Sequence, residues 1–170
     1  KSNYMKFNTK IIHSGQKPEE QFGAIIPPIY QTSTFIQQTP GFFKGFDYTR
    51  AGNPNFANLE KALASLENAK RAVGFSSGLG ALTALFMGFS PRSGILAEQD
   101  LYGGTKRLFN KVLSKHGYDI KYFDLADMIK LEKLIKKGGF KVILSETPTN
   151  PLLRIVDIKK ISAIAKKYGL

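Results

Sequence analysis

The spacing of apolar residues changes near residue 53. Residues 1–50 carry glycine and proline at short intervals with no sustained period, so they are predicted to be irregular. Asn53 suits a helix N-cap and Pro54 the first helical position. The apolar residues at helical spacing that follow are Phe56, Leu59, Leu63 and Leu66. So long an irregular arm is unusual in a compact domain and is expected to be functional or held by another structure.

Beyond residue 70, short apolar runs alternate with segments of helical spacing. The predicted strands are residues 72–75, 93–97, 119–123 and 141–145. Four helices are predicted: residues 78–89, residues 104–116, a helix capped by Asp124, and a last helix with Gly169 at its C-terminal end. The first of them is apolar nearly all round and is therefore expected to be buried. This alternation predicts an α/β fold with a mainly parallel sheet and helices on both faces. A further strand is expected after Leu170, so we expect the fold to be incomplete at its C-terminus.

The composition excludes several chemistries. The chain has 170 residues, 42% of them hydrophobic, which allows a substantial core. It has no cysteine, which excludes disulfides, cysteine-ligated zinc and thiol catalysis. The two histidines, His13 and His116, are far apart, and no metal site is predicted. No segment resembles a signal peptide or membrane span, so a cytoplasmic protein without a membrane partner is expected.

The formal net charge of +12 raises the question of a nucleic-acid partner. The lysines are scattered through the predicted helices, which favours solvated helix faces, and no nucleic-acid partner is expected. The alternative is a basic nucleic-acid-binding domain, which steeply salt-dependent binding to DNA would support.

Two motifs are suited to a phosphate group. Ser77 and Gly78 stand where a predicted strand gives way to a helix, and free N–H groups at a helix start favour an anion. A serine cap without a ligand explains the same residues. Tyr48 and Arg50 point to the same side of an extended segment, and a phenol beside a guanidinium suits a phosphate dianion. A surface arginine near a core tyrosine is the alternative.

Two further motifs follow predicted strands. Tyr102 stands where ligands bind in open α/β sheets and could stack on a flat ring, although it could equally pack on the core. Glu146 and Asn150 lie in a loop fixed by two prolines, which could also be an ordinary turn. Three of the four motifs would thus meet at one edge of the sheet. This shared position favours a ligand with an aromatic ring and a phosphate.

Together these motifs resemble the trans-sulfuration family of pyridoxal-phosphate (PLP) enzymes in cysteine and methionine metabolism. That family includes cystathionine γ-lyase, cystathionine γ-synthase, methionine γ-lyase and O-acetylhomoserine sulfhydrylase. The resemblance covers nearly the whole chain, and the joint match is specific. The motifs that carry it are Tyr48-Thr49-Arg50, Ser76-Ser77-Gly78-Leu79, Leu101-Tyr102-Gly103-Gly104-Thr105 and Glu146-Thr147-Pro148-Thr149-Asn150-Pro151.

The resemblance implies the aspartate-aminotransferase type of PLP fold and a role for each motif. Residues 1–55 would be an arm that contacts a neighbouring subunit, and residues 56–170 the first part of the PLP-binding large domain. The oligomer would be a dimer of dimers. The implied cofactor-binding residues are Ser77, Gly78 and Leu79 at the phosphate, Tyr102 on the ring, Glu146 and Asn150 at the ring hydroxyl, and Tyr48 and Arg50 at the phosphate of a neighbouring subunit. Tyr102 would also act in proton transfer and is the candidate catalytic residue.

The resemblance also implies a substrate that is a sulfur amino acid. Leu79, where some relatives have methionine, and Gly104, where methionine γ-lyase has cysteine, favour γ-elimination of cystathionine to cysteine, 2-oxobutanoate and ammonia. The alternatives are γ-replacement, as in the γ-synthase or the sulfhydrylase, and the methionine γ-lyase reaction. The family's covalent lysine lies in a Ser/Thr-x-Thr-Lys segment that this sequence lacks. We therefore expect the 170-residue chain by itself to be inactive.

Overall fold

The computed structural model describes residues 5–170, which fall into two compact units. The first unit reaches to Phe75 and the second comprises Ser76–Leu170. The sequence instead places the end of the arm near residue 55. The two boundaries differ because the helix that follows the arm packs against an element of the arm.

The first unit is an arm with one long helix. Helix α1 (Phe7–His13) packs on helix α2 (Pro54–Leu66), and strands β1 (Gln37–Thr39) and β2 (Phe42–Phe43) form an antiparallel pair. The prediction that residues 1–50 are irregular is therefore wrong for α1 and for this strand pair. Neither carries the strong apolar period that reveals longer elements.

Helix α2 begins as predicted. The Asn53 side chain accepts a hydrogen bond from the N–H of Asn55 at 2.8 Å, and Pro54 occupies the first helical position. The amide of Asn53 also donates to the carbonyl of Tyr30 and to Oγ1 of Thr49, at 3.2 and 3.0 Å. The cap residue therefore ties the irregular arm to the start of the helix.

The second unit contains a three-stranded parallel sheet in the order β4–β3–β5. Its strands are β3 (Gly94–Glu98), β4 (Asp119–Phe123) and β5 (Phe140–Leu144), within one residue of three predicted strands. The predicted strand at 72–75 is wrong, because these residues have no strand beside them. The N–H of Gly74 bonds instead to Oε1 of Glu60 at 2.9 Å.

Four helices connect or flank these strands. They are α3 (Gly78–Met87), α4 (Gly103–Lys111), α5 (Met128–Lys136) and α6 (Ile158–Lys167), with a 3₁₀ turn (Leu113–His116) after α4. The prediction that Asp124 caps α5 is wrong. The helix begins only at Met128, and Asp127 caps it by accepting from the N–H of Lys130 at 3.1 Å, whereas Asp124 pairs with Arg154. Gly169 takes a left-handed conformation just after α6, as predicted.

Both faces of the sheet are covered, which confirms the α/β class. On one face Ile95 and Ala97 of β3 pack with Phe86 of α3 and Phe109 of α4. On the other face Leu96 belongs to a second core. Its further buried members are Leu125, Leu131, Ile135, Val156 and Ile161. Strand β3 is buried along its whole length, as expected for the central strand of a covered parallel sheet.

The expectation that α3 is a buried helix is wrong. Phe86 is its one buried residue, whereas Leu85 and Met87 are exposed. The face that carries Phe86 packs on the sheet, and α3 also contacts α4, but much of its remaining surface is exposed.

The basic side chains lie as the sequence predicts. Lys111, Lys133, Lys136 and Lys159 are exposed on their helices, consistent with solvated faces. Within residues 5–170, no helix has both the length and the apolar character that a bilayer crossing requires.

Candidate active site

The carboxyl ends of β3, β4 and β5 meet at one edge of the sheet. Ligands of open α/β folds bind at this edge. The loops that leave it are residues 99–102, 124–127 and 145–157. Two of these loops carry Tyr102, Glu146 and Asn150, so the sequence correctly assigned these residues to a common edge.

The amino end of α3 offers an anion site. Ser77 caps the helix by accepting from the N–H of Gly80 at 3.0 Å. The N–H groups of Gly78 and Leu79 have no acceptor within the helix, because the first helical residues lack a preceding turn. The space beside Gly78 is open, since a β-carbon built there meets no atom within 4 Å. The backbone of this turn is therefore accessible to a phosphate.

The ring of Tyr102 joins this turn to the sheet edge. The side chains of Tyr102 and Leu79 both lie close to Gly104. A β-carbon built on Gly104 would lie 2.4 Å from Cε1 of Tyr102 and 3.0 Å from Cδ1 of Leu79. Tyr102 is 47% exposed, so much of the side chain remains open to a ligand. The structure thus brings the phosphate motif and the aromatic motif together.

Glu146 fastens the loop after β5 to Tyr102. Its Oε2 accepts a hydrogen bond from the backbone N–H of Tyr102 at 3.2 Å. Asn150 lies on the same loop and is exposed. Its side chain is therefore accessible to a ligand at this edge.

Sequence reasoning missed three buried polar residues at the same edge. Glu98, Asp100 and Thr149 are 2%, 7% and 1% exposed. Oε2 of Glu98 accepts from the N–H of Leu125 at 3.1 Å, and Asp100 binds the hydroxyl of Thr149 at 2.5 Å. A signal for the two acidic residues was available in the sequence, because Glu98 and Asp100 come directly after an apolar strand. Carboxylates at such a position need hydrogen-bond donors if they are buried.

Electrostatics at this edge are shaped by one ion pair. Nη2 of Arg154 lies 2.6 Å from Oδ2 of Asp124. This charge-assisted hydrogen bond is the main cause that lowers the pKa of the Asp124 carboxyl. The same contact raises the pKa of Arg154. Within residues 5–170, no three acidic or histidine side chains are grouped as a metal site requires.

Tyr48 and Arg50 belong to the first unit. The guanidinium of Arg50 lies 5.1 Å from the centre of the Tyr48 ring, so the two side chains are neighbours as the sequence predicts. Tyr48 forms an isolated antiparallel bridge with Thr34, and the N–H of Thr49 donates to the carbonyl of Ser33 at 2.8 Å. These bonds fix the backbone of the motif within the arm.

Comparison with known proteins identifies a family of PLP enzymes. The profile of the Cys/Met metabolism PLP-dependent enzyme family matches residues 8–170. A probable cystathionine γ-synthase of Herpetosiphon aurantiacus is 43% identical, over 96% of this chain and 51% of that protein. A cystathionine β-lyase of Lactococcus lactis subsp. cremoris is 44% identical, over 94% of this chain and 42% of that protein. The crystal structure of cystathionine γ-lyase from Lactobacillus plantarum, complexed with L-serine, superposes with a TM-score of 0.86 at 40% identity, covering 98% of this chain and 43% of that one.

The fold and the strand-end site define an α/β protein of the PLP-dependent transferase type. The chain belongs to the Cys/Met metabolism PLP-dependent enzyme family. It spans about half the length of the curated relatives it matches. The residues present fit the family's cofactor, because the backbone at Gly78 is open and the accessible side chain of Tyr102 lies, with that of Leu79, beside Gly104.

Proposed function

We propose that this chain forms part of a PLP-dependent enzyme that cleaves the bond between the γ-carbon and the sulfur of cystathionine, giving cysteine, 2-oxobutanoate and ammonia. One observation carries the proposal: the amino end of α3, the Tyr102 ring and the loop of Glu146 and Asn150 converge at one edge of the sheet. Family membership supports it, because trans-sulfuration is the chemistry of the named relatives.

The amino end of α3 would hold the cofactor phosphate. The N–H groups of Gly78 and Leu79 supply donors, the helix dipole adds a favourable potential, and Ser77 keeps the first turn in place. The open space beside Gly78 allows close approach of the phosphate to the backbone.

Tyr102 would stack on the cofactor ring and exchange a proton with the substrate. PLP, when bound, supplies the electron sink that makes loss of the substrate's α-proton possible. The phenol of Tyr102 can hold a proton near the departing sulfur. Its backbone is anchored by the hydrogen bond to Glu146, so the ring position is fixed by the loop after β5.

The loop after β5 would bind the opposite side of the ring. The exposed amide of Asn150 can donate to the ring hydroxyl, and Glu146 lies on the same loop. A carboxamide suits this position because it donates a hydrogen bond without adding charge.

The arm would act across a subunit boundary. The stacked pair of Tyr48 and Arg50 would reach the phosphate held by α3 of a neighbouring copy, in a dimer of dimers. A guanidinium pairs strongly with a phosphate, and the ring beneath it orients the guanidinium plane.

Gamma-replacement is the second candidate, favoured by the 43% identity to a probable cystathionine γ-synthase. Leu79 and Gly104 support γ-elimination of cystathionine over γ-elimination of methionine. They lie together beside Tyr102, where a side chain at position 104 would have to displace the ring.

The test uses the full-length polypeptide that carries this chain. It is incubated with cystathionine and, separately, with an activated homoserine ester and cysteine, and the products are identified. We expect 2-oxobutanoate, cysteine and ammonia in the first reaction. Formation of cystathionine in the second without breakdown in the first would overturn the γ-elimination assignment.

A pair of variants tests the role of Tyr102. Tyr102→Phe keeps the ring and removes the phenol, so turnover is expected to fall while cofactor binding persists. Tyr122→Phe is the matched control, because Tyr122 lies on the outer strand β4 and its hydroxyl donates to Oδ1 of Asn110 on α4. Equal turnover in both variants would remove Tyr102 from the proton-transfer step.

A further inference from the structure

The loops at the carboxyl edge of the sheet are tied together by three carboxylates. Glu98 accepts from the N–H of Asp100 at 3.2 Å and from the N–H of Leu125 at 3.1 Å, which joins the loops after β3 and β4. The pair of Asp124 and Arg154 joins the loops after β4 and β5 at 2.6 Å. A third contact, between Asp100 and Thr149, joins the loops after β3 and β5.

The contact between Asp100 and Thr149 is the most buried of the side-chain pairs. Oδ2 of Asp100 accepts from the Thr149 hydroxyl at 2.5 Å and from the N–H of Leu152 at 3.1 Å. Both residues are almost fully excluded from solvent. Burying a carboxylate without hydrogen-bond donors costs free energy, so these two hydrogen bonds fix the loop position strongly.

Thr149 also organises its own loop. Its Oγ1 accepts from the N–H of Arg154 at 2.8 Å, and its backbone N–H donates to the carbonyl of Arg154 at 3.0 Å. The N–H of Leu153 donates to the carbonyl of Thr149 at 2.9 Å. Hydrogen bonds of Thr149 therefore make residues 149–154 a compact turn. Asp100 binds this turn through the hydroxyl of Thr149 and the N–H of Leu152.

The two ends of this contact lie beside the proposed cofactor residues. Asp100 is two residues before Tyr102, and Thr149 is one residue before Asn150. The other connection between these loops, from the N–H of Tyr102 to Glu146, is longer and more exposed.

We propose that Asp100 is a positioning residue that, through Thr149, sets the spacing between the Tyr102 ring and the Asn150 amide across the bound cofactor. This inference rests on the proposed function, because it assigns the contact to the same site. It predicts that loosening the contact changes how the cofactor sits, beyond any loss of stability.

The test compares three variants of the full-length polypeptide with the wild type. Thr149→Val removes the hydroxyl at nearly constant volume, and Thr149→Ser restores it. Tyr118→Phe is the control, because it removes a buried hydrogen bond to the Phe89 carbonyl at the opposite end of the sheet. The measurements are amide hydrogen exchange of residues 149–154 without cofactor, PLP affinity, visible circular dichroism of bound PLP, and kcat and KM.

We expect Thr149→Val to exchange faster at the N–H groups of Leu152, Leu153 and Arg154. PLP affinity should fall about tenfold, the size expected for one hydrogen bond to a charged group. The dichroism of bound PLP should change, and kcat should fall more than KM rises. Thr149→Ser should recover all four properties, whereas Tyr118→Phe should lower stability and leave PLP affinity and dichroism unchanged.

Two results would overturn the proposal. One is that Thr149→Val has the same PLP affinity and dichroism as the wild type, while the wild type binds PLP and turns over substrate. The proposed function would then stand, but the positioning role of Asp100 would not. The other is a loss of affinity in Tyr118→Phe that matches the loss in Thr149→Val, which would make the effect one of stability. A wild type that binds no PLP would instead refute the proposed function, and the positioning role with it.

Discussion

The side chain of Tyr102 occupies the space that a side chain at Gly104 would need. A β-carbon built on Gly104 would lie 2.4 Å from Cε1 and 3.1 Å from Cδ1 of the tyrosine ring. The first distance is far below van der Waals contact, and the second is tight. Gly104 therefore leaves room for the ring in this position, although it has no side chain with which to bind a ligand.

The first prediction is that Gly104→Ala weakens cofactor binding. The methyl group would displace the Tyr102 ring from the position where we propose that it stacks on the cofactor. An aromatic stacking contact contributes about 1 kcal/mol, so PLP affinity of the full-length polypeptide should fall about fivefold. Titration of the apoprotein with PLP, followed by visible absorbance, measures this change.

Gly103→Ala is the matched control for this prediction. A β-carbon at Gly103 finds its nearest neighbour, Nη1 of Arg107, at 3.9 Å, which is ordinary contact. This variant should bind PLP as the wild type does. An equal loss of affinity in the two variants would mean that helix α4, and not the ring position, is responsible.

The second prediction concerns the cap of α3. Ser77→Ala removes the acceptor for the N–H of Gly80 and should lower the free energy of unfolding by about 1 kcal/mol. Urea unfolding measures the change, and Ser76→Ala, one residue before the cap, is the control. Similar losses in both variants would show that the Ser77 hydroxyl does not stabilise the helix.

Much of the second unit could be predicted because its elements are long enough to carry a period. The strands at β3, β4 and β5 follow from short apolar runs between helical segments, and their parallel arrangement places the loops of Tyr102 and Glu146 at one edge. Tyr102, Glu146 and Asn150 were found because they follow two of those runs, whereas the strand predicted before Ser77 does not form.

Other features depend on tertiary partners that no local pattern reveals. Residues 72–75 are apolar enough for a strand, yet a strand forms only beside another strand. Asp124 is a good cap by residue type, but α5 begins only at Met128, and Asp124 instead pairs with Arg154, thirty residues later in the chain. The burial of Asp100 depends on Thr149, a contact across 49 positions.

The third prediction concerns the packing of the arm on α2. A β-carbon on Gly15 would lie 2.2 Å from the carbonyl oxygen of Asn58 and 2.6 Å from the nitrogen of Ala62, and its φ of +76° is unfavourable for other residues. Gly15→Ala should therefore lower the free energy of unfolding by well over the 1–2 kcal/mol that the left-handed conformation alone costs. Urea unfolding measures this loss.

Gly23→Ala separates the two causes. Gly23 has a similar φ of +73°, but no atom lies within 4 Å of a β-carbon built there. It should show the conformational cost alone, about 1–2 kcal/mol. If Gly15→Ala were no more destabilising than Gly23→Ala, the close packing of Gly15 against α2 would be refuted.

The last prediction concerns pH. The hydrogen bond from Arg154 lowers the pKa of the Asp124 carboxyl below its ordinary value of 3.8. Because the pKa is lower in the folded state than in the unfolded chain, the pair stabilises the fold above pH 3.8. This contribution is lost as the pH falls through the folded-state pKa. Arg154→Gln should raise the pKa of Asp124 and remove that part of the acid dependence.

Carboxyl NMR titration of Asp124 measures the pKa directly, and unfolding at several pH values measures the linked stability. Lys160→Gln is the control, because Lys160 pairs with Asp157 at 3.5 Å on the exposed start of α6 and is not among the causes that shift Asp124. It should leave the Asp124 titration unchanged. Since the pair is one third exposed, salt should reduce the effect of Arg154→Gln. An Asp124 pKa that is the same with and without the guanidinium would show that the backbone N–H of Ala126 holds the carboxylate, and that the loops after β4 and β5 are not joined electrostatically.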